Sequence, residues 1–278
     1  HQVRVSRAYL MQRREVTNGE WSVLFNRNPS ATPGAERPVQ NVSFYDALAY
    51  ANALSEEEGA EPCYDLTGCN GTPGIDYSCA DVPGGPQLIP TCFGYRLPTE
   101  AEWEHASRGG RSGWFSGHYV DASPDNEVAL DAILDPIGWY AGNSVDPDFG
   151  RARPHLVGTK DPTPNPGDWQ IQVNDLYDTH GNVAEWTWDV YSPDTYRNRL
   201  ISCEANNDCN GGECQPNGFC NGEILDPVHL GDGDMAGARV VRGGAYDSSA
   251  FECRHAARRG ADGRAHNIGF RLIRGMIQ

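Results

Sequence analysis

The stretch that decides the fold is YRLPTEAEWEHASRGG, residues 95–110. Thr99 and Glu102 stand three residues apart ahead of an apolar position, which is the spacing of a capping box at a helix start. Trp103 falls on the inward face of that helix, and Gly109 is a typical helix stop. The pattern predicts a short amphipathic helix bounded by loops.

Two more capping boxes lie on the N-terminal side of this segment. Thr17 is followed by Glu20 and Ser43 by Asp46, and the second pair opens a run with apolar residues at helical spacing that ends at Gly59. The remainder reads as short strands between long loops, since the chain contains 32 Gly and 19 Pro. We therefore predict one α+β domain over residues 1–278 with little regular secondary structure.

Charge and hydropathy exclude several classes of function. The chain has 22 basic and 38 acidic side chains and a net charge of −16, which is unlike a protein that binds nucleic acid or an anionic membrane. No apolar run approaches the roughly 20 residues of a membrane helix, so we expect no membrane insertion. The first residues alternate like a strand and have no signal peptide, so we interpret the chain as a mature or trimmed product.

Nine cysteines indicate the cellular compartment. Eight fall in two clusters within loops rich in Gly, Asn and Pro, which we interpret as insertions at about 60–93 and 192–236. The clustered cysteines are Cys63, Cys69, Cys79, Cys92, Cys203, Cys209, Cys214 and Cys220. Zinc is the alternative, but no C-x-x-C pair is present, so we predict disulfides and a secreted or cell-surface protein. In the second cluster we expect Cys203–Cys214 and Cys209–Cys220, and Cys253 is left over.

The C-terminal quarter is basic although the whole chain is acidic. Residues 237–278 contain eight arginines. One interpretation is that these arginines form structural ion pairs with acidic loops. The other is an anion-recognising cleft, because guanidinium forks suit carboxylates, sulfates and phosphates. The sequence leaves both interpretations open.

Six motifs occur in an order that is typical of one family. They are EVTNGEW at 15–21, PVQNVSFYDALAYANAL at 38–54, the segment quoted above, HGNVAEWTWDVY at 180–191, RVVRGGAYDSSAFECRHAARRG at 239–260 and HNIGFRLI at 266–273. The series resembles the sulfatase-modifying-factor family, whose enzymatic members are the formylglycine-generating enzymes. The resemblance implies a fold related to C-type lectins, also used by variable proteins of diversity-generating retroelements and by non-catalytic paralogues.

The same resemblance argues against the family's reaction. Formylglycine-generating enzymes oxidise a peptide cysteine with copper held by two cysteine thiolates, and soft thiolates suit Cu(I). At the two corresponding places this chain has Ser248 and Cys253, so we expect neither copper nor formylglycine formation. Cys253, His255, His266 and Asp247 could gather another metal, or the histidines could be structural.

A calcium site is implied with more support. At the matching positions of this chain, the family's calcium ligands are the side chains of Asp178 and Glu185 and the carbonyls of Gly181 and Val183. Hard oxygen ligands in an irregular loop are what calcium prefers. The alternative is that Glu185 pairs with a C-terminal arginine.

These observations predict an exported binding or structural module with a calcium-stabilised core. The expected cleft residues are Trp139, Tyr140, Tyr246, Ser248, Cys253, Arg254, His255 and Arg258. Aromatic and arginine side chains there suit a peptide, protein or anionic glycan ligand, and no nucleic acid. The alternatives are a metal-dependent oxidoreductase that uses Cys253 and a receptor domain like the variable proteins.

Overall fold

The computed structural model describes residues 3–80, 92–109, 113–115, 127–163, 175–193, 213–214, 220–221, 224–228 and 237–276. The helices are α1 (Asn18–Leu24), α2 (Phe44–Glu57), α3 (Glu100–Arg108), α4 (Glu127–Leu134) and a 3₁₀ helix (Ala250–Cys253). The strands are β1 (Val3–Arg4), β2 (Tyr9–Met11), β3 (Cys69–Asn70), β4 (Ser78–Cys79), β5 (Tyr95–Arg96), β6 (Val145–Asp146), β7 (Arg151–Ala152), β8 (Ala184–Val190), β9 (Glu213–Cys214), β10 (Cys220–Asn221), β11 (Ile224–Leu225), β12 (Arg239–Arg242), β13 (Arg258–Ala261), β14 (Ile268–Gly269) and β15 (Ile273–Gly275). Short elements of both kinds confirm the α+β class.

All three predicted capping boxes are confirmed. In α1, α2 and α3 the N-cap hydroxyl accepts a hydrogen bond from the third helical amide, and the acidic side chain at that position accepts one from the N-cap amide. Gly109 ends α3 in the left-handed conformation with φ of 55°. Helix α4 is not among the helices predicted from the sequence.

The larger sheet has the strand order β13-β12-β8-β14 and forms the centre of the molecule. Its pairs are antiparallel except β14, which runs parallel to β8. All seven residues of β8 are buried, and Trp186 and Trp188 of this strand pack against Phe44 of α2. Because β8 and β12 are antiparallel, the segment after β12 lies beside the segment before β8, where the Gly181 amide donates to the Gly243 carbonyl over 2.8 Å.

A second sheet has the order β2-β15-β5 and joins both ends of the described chain. Strand β15 pairs antiparallel with β2, with Ile273 opposite Met11, and with β5 on its other side. Helix α3 lies against this sheet, since the Tyr9 hydroxyl donates to the Glu102 carbonyl over 2.8 Å. The start and the end of the domain are thereby packed together.

Two disulfides confirm the bridges predicted for the first cysteine cluster. Cys63 is bonded to Cys92 and Cys69 to Cys79, and the second bridge joins the paired strands β3 and β4. The pairings Cys203–Cys214 and Cys209–Cys220 lie outside the described residues as side-chain contacts. The first cluster accordingly staples the loop that follows α2.

Candidate functional site

A double glycine shapes the segment after β12. Gly243 and Gly244 have φ of 90° and 69°, a region that favours glycine. A Cβ on Gly244 would lie 2.7 Å from the Cys253 sulfur. The turn can therefore pack directly on the 3₁₀ helix only because Gly244 lacks a side chain.

Cys253 lies inside an apolar cluster with no exposed surface. The buried members of the cluster are Phe115, Leu134, Ile137, Tyr140, Ala250 and Cys253. Burial raises the pKa of the Cys253 thiol well above its usual range, so the thiol stays protonated at neutral pH. A shielded, protonated thiol is a poor nucleophile and a poor metal ligand.

Ser248, at the other place implied by the resemblance, has a structural contact. Its hydroxyl accepts a hydrogen bond from the Ala245 amide over 3.1 Å, and its carbonyl accepts one from the Ala141 amide. The hydroxyl thus fixes the turn after the double glycine. The segment contains one thiol, where the copper site of the family uses two thiolates.

The histidines near Cys253 form a buried, neutral pair. His255 Nδ1 is 2.5 Å from the Ser107 hydroxyl, His180 Nδ1 is 2.8 Å from the Cys253 carbonyl, and the two rings are 4.5 Å apart. Burial lowers the pKa of His180 to about 4 and holds the pKa of His255 well below its usual value. Both rings therefore pack as uncharged side chains.

The group of metal ligands considered from the sequence is divided between two places. His266 lies at the surface, 3.3 Å from the Asp247 carboxylate, while His255 and Cys253 are buried. Across the described ranges, no three or more His, Cys, Asp or Glu side chains form a group that could hold a metal ion. The four residues do not assemble as one site.

Most C-terminal arginines form ion pairs, as the structural interpretation predicts. The Glu100 carboxylate lies 2.6 Å from Arg258 Nε and 3.2 Å from Arg242 Nη1, and the Arg264 guanidinium lies 2.6 Å from the Asp46 carboxylate. Arg258 is thus held by a buried carboxylate. Arg254 is different: it stacks on Phe251 and Trp114, with its Cζ 3.3 Å and 4.8 Å from the ring centroids.

Arg271 forms an ion pair with Glu185, the carboxylate expected to bind calcium. Its Nε and Nη2 donate to the two Glu185 oxygens over 2.7 Å and 2.6 Å, and the Trp103 indole donates to the same carboxylate over 2.7 Å. Glu185 and Arg271 are both fully buried. The alternative interpretation, in which Glu185 pairs with a C-terminal arginine, describes this contact.

Two further buried carboxylates surround this pair and form, with Glu185, an acid cluster of Glu15, Asp178 and Glu185. Glu15 accepts from the Val183 amide and the Asn182 side chain. Asp178 accepts from the Gly158 amide, and its other oxygen is buried without a partner among the described residues. Burial raises the pKa of Asp178 to about 6, and burial together with Asp178 and Glu185 raises the pKa of Glu15.

The Asp178 end of the cluster has an unpartnered carboxylate oxygen, but the described residues contain no group of three acidic, His or Cys side chains that could hold a metal ion, so a cation there would also need backbone carbonyl oxygens. Three carboxylates face one guanidinium, so the cluster is short of positive charge when all are ionised. Gly181 follows Asp178 by three positions along the chain, so its carbonyl oxygen is near in sequence to the unpartnered Asp178 oxygen. Carboxylate and carbonyl oxygens are both calcium ligands. Glu185 itself is already neutralised by Arg271, and Glu15 is not among the calcium ligands predicted from the sequence.

Trp139 and Tyr140 lie on the connection between α4 and β6. Trp139 stacks on His155 with ring centroids 3.7 Å apart, and Lys160 lies over its ring. The buried Tyr140 donates its hydroxyl to Asp135 over 2.8 Å. Tyr140 joins the Cys253 cluster, whereas Trp139 faces a different set of side chains.

A pocket of about 420 Å³ contains one of the predicted cleft residues, Tyr246. Its walls are Ala31, Thr32, Gln40, Arg151, Ala152, Arg153, Tyr246, Asp247 and His266. Gln40 is buried, and its side-chain oxygen has no partner within the described part of the chain. Five separate stretches of the chain build this pocket, so spacing along the sequence could not reveal Gln40 or Arg151.

Two other pockets lie apart from it. Ser248 and Arg258 line a small one of about 60 Å³. A larger one of about 520 Å³ lies between the segment before β2, the start of α3 and the end of β15. Of the eight predicted cleft residues, the structure brings Ser248 and Arg258 to one pocket, Tyr246 to another, and buries Tyr140, Cys253 and His255.

Comparison with known proteins places the chain. The family model of the sulfatase-modifying factor enzyme 1-like domain matches residues 1–276. The chain is 32% identical over 187 residues to the chaperone protein LppX of Paenibacillus barcinonensis (66% of this chain, 63% of that protein). It is 31% identical over 222 residues to the formylglycine-generating enzyme of Streptomyces coelicolor (77% and 55%). It therefore spans a little over half the length of these curated relatives.

A solved structure matches over nearly the whole chain. Treponema denticola variable protein 1 superposes with a TM-score of 0.65 at 28% identity, covering 99% of this chain and 87% of that one. Within the described residues, no helix has the length and apolar character required to cross a bilayer.

Proposed function

The chain belongs to the family of sulfatase-modifying factor enzyme 1-like domains, and we propose that it is an exported binding module of this family without formylglycine-generating activity. The observation that carries the proposal is the state of the two positions of the family's cysteine pair, where Cys253 is a buried, protonated thiol and Ser248 serves as a turn contact. Export is supported by the two disulfides, which persist in oxidising compartments.

The ligand surface we propose is formed by the segment 245–267 and the pocket beside it. Tyr246, Asp247 and His266 contribute hydrogen-bonding groups to that pocket, and Arg151 contributes a cation. The volume of about 420 Å³ is within the range of small-ligand sites. Such a lining suits part of a peptide or of an anionic glycan.

We also propose that calcium binds at the acid cluster through Asp178 and the Gly181 and Val183 carbonyls, with Glu185 next to them. The support is the unpartnered Asp178 oxygen and the excess of carboxylates over guanidinium groups. When bound, calcium would supply positive charge to a buried loop and stabilise it. Its role in this proposal is structural.

The deciding experiment loads tag-free protein with copper, iron and calcium separately, removes free metal by desalting, and measures bound metal per chain. We expect about one calcium and no stoichiometric copper or iron. The same samples are incubated with a cysteine-containing peptide and oxygen, and the peptide is analysed by mass spectrometry. Copper or iron that is lost in Cys253→Ser, or an aldehyde product, would establish the oxidoreductase alternative instead.

A receptor of the variable-protein kind is the second candidate. It is favoured by the likeness to Treponema denticola variable protein 1 over 99% of this chain. Both candidates are binding functions, and they differ in the ligand. A receptor would bind a protein surface, so capture of a defined folded partner with a standard-sized interface would favour it over the pocket ligand.

A further inference from the structure

Among the residues that the structure describes, Arg254 is an arginine without a carboxylate partner. Elsewhere in this quarter Arg242, Arg258, Arg264, Arg271 and Arg274 each lie within 4 Å of an acidic side chain. Arg254 forms no ion pair with any residue that the structure describes. A partly buried guanidinium without a counter-charge is unfavourable, and burial lowers the pKa of Arg254.

Two aromatic rings and one carbonyl hold this guanidinium in place. Its Cζ is 3.3 Å from the Phe251 ring centroid and 4.8 Å from that of Trp114, and the rings meet edge to face at 6.3 Å. Nε donates to the Phe251 carbonyl over 2.7 Å. With Nε used, the two terminal nitrogens remain, and they form the edge that takes an oxyanion in a bidentate manner.

Buried contacts and a backbone hydrogen bond hold the residues beside Arg254. The preceding 3₁₀ helix is anchored by the buried Ala250 and Cys253, and the His255 amide donates to the Trp114 carbonyl over 3.0 Å. The helix and Trp114 are therefore fixed relative to each other. A fork that is ordered before binding loses less entropy when a ligand arrives.

The surroundings favour a cyclic acid over a flexible one. Phe251 is 40% exposed and Trp114 is half-buried, so aromatic surface borders the fork. A sugar ring has an apolar C–H face that can lie on such a surface while its carboxylate or sulfate reaches the guanidinium. An acidic side chain on a methylene stem would use the fork alone.

We propose that Arg254, Phe251 and Trp114 form a binding site for the carboxylate or sulfate of an acidic glycan. The inference rests on the proposed function, since it names the ligand class and an anchoring residue of the binding module. Arg254 does not line the pocket of Tyr246 and His266, so the inference concerns a second contact surface and does not require that pocket to be occupied.

The test is calorimetric titration with a hexamer of galacturonic acid and with a chondroitin sulfate hexasaccharide at physiological salt. Arg254→Lys keeps the charge but loses the fork, so it should weaken binding at least tenfold, as should Arg254→Gln. Phe251→Ala should weaken it about threefold or more. The methyl-esterified galacturonate hexamer, which has the same rings without the charge, should not bind.

Arg274→Gln is the matched control, because it removes an arginine from an exposed ion pair and should leave binding unchanged. Thermal unfolding of each variant reports whether it is folded. Wild-type affinity in Arg254→Lys, or equal affinity for a glutamate hexapeptide unaffected by Phe251→Ala, would overturn the inference. Absence of binding to both glycans would overturn it too and leave the proposed function standing, whereas peptide oxidation would overturn the proposed function.

Discussion

Arg271 and Arg254 use one kind of side chain in opposite surroundings. Arg271 is fully buried, and Glu185 accepts two of its hydrogen bonds, so its charge is satisfied inside the fold. Arg254 is half-buried, lies on two aromatic rings and has no carboxylate partner among the described residues. The difference separates a charge that holds the domain together from a charge available to a ligand.

The largest effect on stability is expected for Arg271→Met, which removes the buried arginine of the pair compared above. Removing one partner leaves Glu185 buried without its cation, which costs about 3–5 kcal/mol of unfolding free energy. Urea unfolding followed by tryptophan fluorescence measures it. Arg274→Gln should change the value by less than about 0.5 kcal/mol, since its ion pair is exposed. Equal losses in the two variants would show that burial does not separate these arginines.

Calcium provides a second test of this comparison, because it should bind at the acid cluster and not near Arg254. At a free concentration one hundred times the dissociation constant, one bound ion stabilises the folded state by about 2.7 kcal/mol. We expect the melting temperature to rise with calcium and fall with a chelator, and Asp178→Ala to abolish both shifts. Arg254→Gln should leave them unchanged, and a shift surviving in Asp178→Ala would place the ion elsewhere.

Acid should destabilise the region around Cys253. Burial lowers the folded-state pKa of His255, so the unfolded chain binds the proton more readily. The stability contributed by neutral His255 is complete above about pH 6.5 and is lost as pH falls below that value, by up to about 1.4 kcal/mol per pH unit. His255→Gln should lower the pH slope of unfolding free energy between pH 6.5 and 5, and an unchanged slope would contradict this.

The smallest effect is expected at the thiol. The native Cys253 thiol should not react with Ellman's reagent over hours, and it should react fully in denaturant, because it is buried and protonated. Cys253→Ser should cost about 1–2 kcal/mol by placing a hydroxyl in an apolar cluster. Rapid reaction of the native thiol would indicate an open site and reopen the oxidoreductase alternative.

The three capped helices and the family motifs were predictable because their signals are local. Thr99 with Glu102 needs only three residues of spacing, and disulfides in the first cysteine cluster were predicted without their pairing. The partners of the arginines were not predictable individually. Glu100 neutralises arginines on β12 and β13 that follow it by about half the chain, and that choice depends on the strand order of the larger sheet.

The candidate site was predictable in composition more than in arrangement. The family's first cysteine position could be matched to Ser248 from the sequence alone. The burial of Cys253 could not be predicted, because it depends on contacts with Phe115 and α4. Arg254 was predicted as a cleft residue. Its position at the surface on Phe251 and Trp114, without an ion pair among the described residues, depends on tertiary contacts.

The pairing of β15 between β2 and β5 has a consequence for how the protein is made. The middle strand of that sheet is the last strand of the described chain, and β14 likewise completes the edge of the larger sheet. A ribosome or a translocation channel that still held residue 270 would withhold the partner of both flanking strands. Folding therefore waits for the whole domain to emerge, and a stop codon before residue 273 should give a chain that cannot close and is degraded.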